Sequence, residues 1–442
     1  MDEATGATGR ACWWSRGYGS RNAPDNTVEP VSAVAGQVGS ADAVRPRAGL
    51  SSGLVNLMAV GGGAAVANLY YSQPLLHQVS RTFGSGSAST SLVVTCTQVG
   101  YAMGLLLVVP LGDRFRRRSL TTALFASCAV ALCLAAVAPT LIVFQACSVV
   151  IGVMSVGGQV LLPFAAGLSP ADRRGRVVAR IMTGMLTGIL LARTAAGGVA
   201  QIAGWRTIYW LAAVLMVAIA AALRFALPPE APRPALPYGR LVVSALRLLV
   251  THPVLRRRAL DGGAAFGAFS VLWTCLAFQL SAAPYHYSNA VIGLFGLAGL
   301  AGVLAANVAG RLADARLSEL AAIVSAVIVT ASFGILAFGT TSLVLLVTGI
   351  VVLDMGVQAV QVTNQTAINH ISDELRSQLT SGYMVGCFLG GAVGSVSAGL
   401  ILEFGHWTGI CLLGAGLGSV LILTAWLDHL RSARASAESA EH

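Results

Sequence analysis

The chain has 442 residues, 55% of them hydrophobic and only 10% charged, with a formal net charge of +10 at pH 7 and a mean hydropathy of +0.74. Soluble domains carry about 25% charged residues, so this composition excludes one and places the chain in lipid. All 28 basic residues are Arg, which excludes a Walker A loop and Schiff-base chemistry, since both need a Lys.

Residues 1–50 hold Gly, Ser, Ala, Pro and scattered charges without an apolar core resembling a signal peptide, and read as a disordered cytoplasmic tail. Apolar runs able to cross about 30 Å of hydrocarbon, which takes about 20 helical residues, follow at 53–76, 90–111, 119–138, 141–168, 177–203, 207–227, 259–281, 290–309, 319–338, 342–366, 378–402 and 405–427. They are long, rich in Ala, Leu, Val and Gly, and lack the period-two alternation of barrel strands, so helices satisfy the backbone. The reading is an all-α membrane protein of twelve transmembrane helices. It has an N-terminal six-helix bundle over 51–227, a cytoplasmic linker over 228–258 containing "LPPEAPRPALP", a C-terminal six-helix bundle over 259–430 and a cytoplasmic tail over 431–442.

Arg clusters alternate with the spans. Arg114, Arg116, Arg117 and Arg118 follow span two, Arg173, Arg174 and Arg176 follow span four, and Arg256, Arg257 and Arg258 close the linker, whereas the opposite loops offer only Arg81 and Arg206. The positive-inside rule then predicts cytoplasmic termini. The charge reports topology and contact with lipid headgroups rather than nucleic acid, because no basic patch is interleaved with exposed aromatics. Seven of the eight Cys fall in spans and none forms a CxxC pair, so they read as small hydrophobes, with no metal or disulfide.

The two halves repeat. Asp113 of "PLGDRFRRR" and Asp314 of "GRLADAR" stand 201 residues apart, as do Asp172 of "SPADRRGR" and Asp373 of "ISDELRSQ", and Gly204 of "GWR" and Gly405 of "GHW". Six spans per repeat is an even number, so the halves share one orientation about an axis along the membrane normal.

With "GRLAD" after span eight and a long middle loop, the chain resembles the major facilitator superfamily over nearly all of 51–430. That family's loop motif reads G-x-L-a-D-r-x-G-r-k. The second copy matches it at Gly310, Leu312, Ala313 and Asp314, and the first keeps Leu111, Asp113, Arg114, Arg117 and Arg118, with Val109 and Arg116 where the pattern has glycines. "NLYYSQPLL", "PLGDRF", "GWR" and "NQ" resemble bacterial twelve-span drug/proton antiporters and sugar-efflux permeases. The resemblance implies that Asp113, Arg114 and Arg117, with Gly310 and Asp314, form a gate at the cytoplasmic side, and that spans one, four, seven and ten line a central cavity.

Polar residues in the spans are the functional candidates, because each charge at a helix centre costs about 2.5–3.5 kcal/mol on insertion scales. Asp354, Gln358, Gln361 and Gln365 share one face of span ten, and Gln145, Ser148, Ser155 and Gln159 one face of span four. In span one, Tyr70, Gln73 and His77 lie on one side and Asn68 and Tyr71 on its neighbour. With Trp273 of span seven, the cavity set is Asn68, Tyr70, Tyr71, Gln73, Gln145, Gln159, Trp273, Gln358, Gln361 and Gln365. The competing reading is that these groups join helices by hydrogen bonds worth about 0.6 kcal/mol each.

Asp354 is the one carboxyl near mid-membrane and Arg193 the one central cation, so they are the candidates for proton coupling, against a static Asp354–Arg193 or Asp354–Gln network. Two departures from antiporters stand out. Ser148 occupies the place of their span-four Arg, and "ILLARTAAGG" keeps Gly197 and Gly198 but has Arg193 and Thr194 for Gly-Pro. GxxxG spacings at Gly100/Gly104, Gly184/Gly188 and Gly386/Gly390 predict close helix packing within a monomer. No nucleophile–His–acid set or HExxH appears, so an enzyme is not expected. The expected function is proton-driven export of a small amphipathic molecule, with no cofactor, from the bacterial cytoplasmic membrane. The alternatives are a gradient-independent uptake facilitator and a non-transporting membrane sensor.

Overall fold

The structure, a computed structural model, describes residues 50–228, 238–300, 318–371 and 375–440. Nearly all of the expected tail over 1–50, and the loop residues Gly310, Asp314 and Asp373, lie outside them. Among the described residues every regular element is a helix, and ten are long and apolar enough to cross a membrane.

The first span, 53–76 by its apolar run, is broken around the helix-breaking Pro74. Helix α1, Ser52–Ala67, starts at Ser51, whose Oγ accepts the Leu54 N–H at 3.2 Å. Past Ala67 the chain tightens: the N–H groups of Leu69 and Tyr70 bond only three residues back, and Pro74 sits in a 3-10 turn, Gln73–Leu75, before α2, Leu76–Phe83. Pro74 brings no N–H, and its ring clashes with the preceding turn, so an α-helix cannot run through it. The next spans are α3 (Ser87–Leu107) and α4 (Arg117–Ala136). The fourth is split at Val156 into α5 (Leu141–Ser155) and α6 (Gly157–Leu168), and α7 (Ala171–Ala203) and α8 (Trp205–Ala226) complete the half.

In the linker, α9 (Tyr238–Thr251) precedes α10, Pro253–Ser281. Span seven therefore starts six residues before the expected 259, because a Pro is well tolerated in the first turn of a helix, where its N–H would be unused. The second half continues with α11 (Asn289–Leu294) and a 3-10 turn, Phe295–Gly299, then α12 (Ser318–Ala337) and α13 (Leu343–Asn369). Last comes α14, Arg376–Ala440, bent at His406 (φ 50°) into two arms. Helix thus also covers the expected tail from 431 to Ala440.

Each half has its own apolar core. In the first, Phe144 meets Trp205 and Tyr209 edge-on at 5.0 and 5.3 Å. In the second, Phe333, Leu336, Ile350 and Trp407 are buried together. An indole after each half's last corner is pinned: Trp205 Nε1 donates to Thr82 Oγ1 at 3.0 Å, and Trp407 Nε1 to the Leu336 carbonyl at 2.7 Å.

The halves meet along two seams. In one, α3 runs antiparallel to the first arm of α14: Ser87 bonds the Gly399 carbonyl (3.3 Å), Thr95 bonds Ser395 (2.7 Å), and the rings of Tyr101 and Phe388 lie 4.3 Å apart. Residue numbers rise along α3 as they fall along the facing arm of α14. In the other seam Gly197 packs on Asn289, Thr194 Oγ1 donates to the Gly293 carbonyl at 3.1 Å, and Leu190 meets Gly299. Moving either seam along the chain by the 201-residue repeat produces the other, so span two of each half pairs with span five of its partner.

The GxxxG glycines are spent inside the molecule. A Cβ on Gly188 would strike the backbone of Gly63, and one on Gly390 that of Gly263, so spans one and five, and seven and eleven, touch backbone to backbone. Gly100 and Gly104 meet Val149 and Val153 in the same way. Such contact is what holds helices together where lipid competes equally for apolar side chains. Gly188→Val should therefore abolish the monodisperse folded species in gel filtration. Gly198→Ala, with nothing within 4 Å of the new methyl, should leave the melting temperature unchanged or raise it, by up to about 1 kcal/mol of stability.

Candidate functional site

Where α1's broken end meets α7, α10 and α13, one buried polar network crosses between the halves. Arg193 on α7 is 1% exposed. Its Nε–H donates to Gln73 Oε1 at 2.8 Å, and that glutamine is delivered by the turn that Pro74 forces. The guanidinium carbon lies 3.9 Å from the ring centre of Trp273, 4.8 Å from that of Tyr70 and 5.3 Å from that of Phe269. Each such contact is worth about 2 kcal/mol when desolvated, and three of them partly offset the cost of burying the charge.

Trp273 carries the network onward: its indole Nε1–H donates to Asp354 Oδ1 at 3.3 Å. Among the described residues Arg193 and Asp354 form no direct ion pair. The indole stands between them, so the static alternative takes the form Arg193–Trp273–Asp354 rather than a salt bridge. Span eight closes over both groups with glycines, since a Cβ on Gly296 would lie 2.8 Å from that of Arg193, and one on Gly299 3.2 Å from Asp354 Oδ2. Two donors remain unused among the described residues: Arg193 Nη2 and Gln73 Nε2 are buried without an acceptor there.

The expected cavity residues divide. Tyr70, Gln73 and Trp273 are in this network. Gln159 approaches it from α6, where its Nε2 donates to Tyr101 Oη at 3.2 Å. Along α13, Gln361 accepts from Tyr383 Oη at 3.5 Å, and Gln358 and Gln365 are half-buried on the same face. Asn68 and Tyr71 do not face the network. The Asn68 amide donates to Cys128 Sγ (3.3 Å) and Met216 Sδ (3.6 Å), and Tyr71 is also beside Cys128. Both side chains join span one to spans three and six inside the first bundle, because the chain leaves helical geometry at Ala67 and turns them away. Gln145 is also displaced: its Nε2 donates to the Ser89 carbonyl at 2.8 Å, fastening α5 to α3 far from Arg193.

Tyr101, Phe269 and Phe388 belong to the surroundings of the site and escaped the sequence reading. Phe266 stacks on Phe269 at 5.4 Å and meets Phe388 at 4.9 Å. The i, i+3, i+7 spacing of Phe266, Phe269 and Trp273 was the available signal, hidden because aromatics in an apolar span look lipid-facing.

At the Arg-rich end of the first half, Asp113 ends a 3-10 turn, Val109–Asp113. Arg117 ties that turn to α6, with Nε donating to the Gly112 carbonyl at 3.2 Å and Nη1 to that of Pro163 at 3.1 Å. Arg114 is exposed, with Phe115 as its ring neighbour at 6.0 Å. From these placements, Asn68→Ala should cost about 1 kcal/mol of stability in a thermal melt and leave ligand affinity unchanged. Trp273→Phe, which keeps the ring and removes the N–H, should change ligand affinity or pH response at a smaller stability cost.

Sequence comparison matches residues 58–374 to the Major Facilitator Superfamily. The chain is 43% identical over 382 residues, 86% of its length and 97% of the relative's, to a protein of Escherichia coli O157:H7 named uncharacterized transporter YgaY. It is 28% identical over 246 residues, 55% of its own length and 61% of the relative's, to a chloramphenicol resistance protein of Streptomyces lividans. Among solved structures, a bacterial homologue of the human lysosomal transporter Spinster, inward-facing and occupied, superposes with a TM-score of 0.69 at 13% identity, covering 86% of this chain and 96% of the other. The chain belongs to the Major Facilitator Superfamily and is a multi-pass membrane transporter rather than an enzyme.

Proposed function

We propose that the protein exports a small amphipathic molecule in exchange for protons by alternating access, from the bacterial cytoplasmic membrane with both termini inside, and that Asp354 carries the proton. The observation that supports this reading is the placement of Arg193 and Asp354. One charge comes from each half, and Trp273 is packed between them. With Asp354 ionised, the opposite charges favour apposition of the halves at mid-membrane. A proton on Asp354 removes that attraction and frees the halves to rock. The unused donors on Arg193 and Gln73 offer a substrate two hydrogen bonds, and Tyr70, Phe269 and Trp273 offer it apolar faces, a combination suited to an amphipathic solute.

The seams support alternating access. Among the described residues, hydrogen bonds between the halves lie at mid-membrane or toward the Arg-poor end, apart from one from Tyr238 of α9 to the Leu107 carbonyl. If the Arg-rich end is cytoplasmic, the arrangement is closed outside. Likeness to a chloramphenicol resistance protein favours a small organic molecule moving outward. A facilitator is the second reading, favoured by Ser148 and by the altered span-five motif.

Inside-out vesicles with an acid interior and a pH-sensitive dye test this reading. Adding chloramphenicol, lipophilic cations or sugars in turn should release protons for at least one compound, and Asp354→Asn should abolish the release. Equal release from Asp354→Asn would remove Asp354 from the mechanism. Gradient-independent uptake of a labelled compound would replace exchange by facilitation.

A further inference from the structure

A second buried polar site lies inside the C-terminal half, toward the Arg-rich end and away from the Arg193 network. A small cavity there has room for about one water and is lined by Arg258 and Asp261 of α10, Ser325 of α12, Thr363 and Asn364 of α13 and Thr424 of α14. Asp261 is 6% exposed, Thr363 4% and Asn364 2%. Each has an atom with no hydrogen-bond partner among the described residues: Asp261 Oδ1, Thr363 Oγ1 and Asn364 Nδ2. Buried polar atoms left in this way are uncommon and need an explanation.

Asp261 has the Thr424 hydroxyl beside it as well as a set of shared charges. Its Oδ2 is 3.4 Å from Arg258 Nη1, but the same guanidinium also reaches Asn364 Oδ1 at 3.5 Å and, through Nη2, Asp428 Oδ2 at 3.4 Å. The shortest contact of the group joins Arg257 Nη1 to Asp428 Oδ1, at 3.0 Å. Asp428 thus remains as counter-ion to both arginines if Asp261 becomes neutral. From the first arm of α14, fully buried Tyr383 faces the same region beside Asn364 and Cys387. Its hydroxyl bonds Gln361, on the face of α13 that Asp354 heads.

The repeat shows that the fold does not require this cluster. With Gly63 matched to Gly263 by their backbone contacts, Met58 stands for Arg258 and Gly61 for Asp261, and 201 residues before Asn364 and Asp428 stand Pro163 and Leu227. The first bundle packs without any of these polar groups.

We propose that Asp261 is a second proton-binding carboxyl, served by one water bound in this cavity. The water donates to Asp261 Oδ1, accepts from Asn364 Nδ2 and has Thr363 Oγ1 within its reach, which satisfies the orphaned atoms with the roughly three bonds typical of buried water. On acidification the water passes a proton to Oδ1 and is reprotonated from the solvent at the Arg-rich end. An O–H bond forms on Asp261, and Arg258 keeps Asp428 as its partner. The site goes beyond the role given to Asp354 and stands or falls separately from it.

Infrared difference spectra of the full-length protein in lipid vesicles, recorded as the pH is stepped from alkaline to acid, test the proposal without a transported ligand. A carbonyl band of a newly protonated buried carboxyl should appear, shift in heavy water, vanish in Asp261→Asn and persist in Asp354→Asn. An unchanged set of bands in Asp261→Asn would mean that Asp261 stays ionised against Arg258 and would overturn the proposal. If Asp261→Asn does not assemble, Tyr383→Phe keeps every charge and should shift the same band or slow its deuterium exchange, whereas an identical band and rate would count against the site. Failure of the Asp354 reading would be seen separately, as no band lost in Asp354→Asn.

Discussion

A guanidinium in the middle of a membrane has to be satisfied within the reach of its own side chain, because neither lipid nor apolar helices supply acceptors. Arg193 meets this demand with one hydrogen bond, to Gln73, and three aromatic faces. Several features of the molecule serve that demand. Pro74 breaks span one and brings Tyr70 and Gln73 inward. The approach of span eight through Gly296 and Gly299 encloses the charge, and Trp273 relays it to Asp354 in the other half. A charge that is costly when isolated thus becomes a contact between the two bundles, through Phe269 and Trp273.

Rocking bundles need helices that pack closely without being bonded tightly. Inside each bundle, glycine brings backbones into direct contact at Gly63/Gly188 and Gly263/Gly390. Among the described residues the seams are joined by hydroxyls, amides and ring contacts rather than ion pairs, so they can part at moderate cost. The ion pair between Arg257 and Asp428 joins α10 to α14 at their ends, inside one bundle.

Much of this was legible in the chain. Apolar length revealed the spans, and the 201-residue spacing of Asp113 and Asp314 revealed the repeat that the two seams obey. Of the Tyr70–Gln73–His77 side of span one, Tyr70 and Gln73 meet Arg193, whereas His77 packs edge-on against Phe278. The sequence did not reveal what the other side faced. Asn68 and Tyr71 turned out to join spans one, three and six, and Gln145 to fasten α5 to α3. A polar residue in an apolar run shows that it needs a partner, but not whether that partner is a helix or a solute.

Composition, the length of the apolar runs and the Arg distribution by themselves determined a polytopic helical bundle with an internal repeat, because burying a backbone in lipid leaves few solutions and charge placement constrains topology. The tertiary structure alone decided that Arg193 and Asp354 are separated by an indole rather than paired, that span one breaks at Ala67, and that Asp261 has a free carboxylate oxygen beside a water-sized space. These depend on directions of side chains from helices far apart in sequence, and a periodicity of 3.6 residues carries no information about what stands opposite each face.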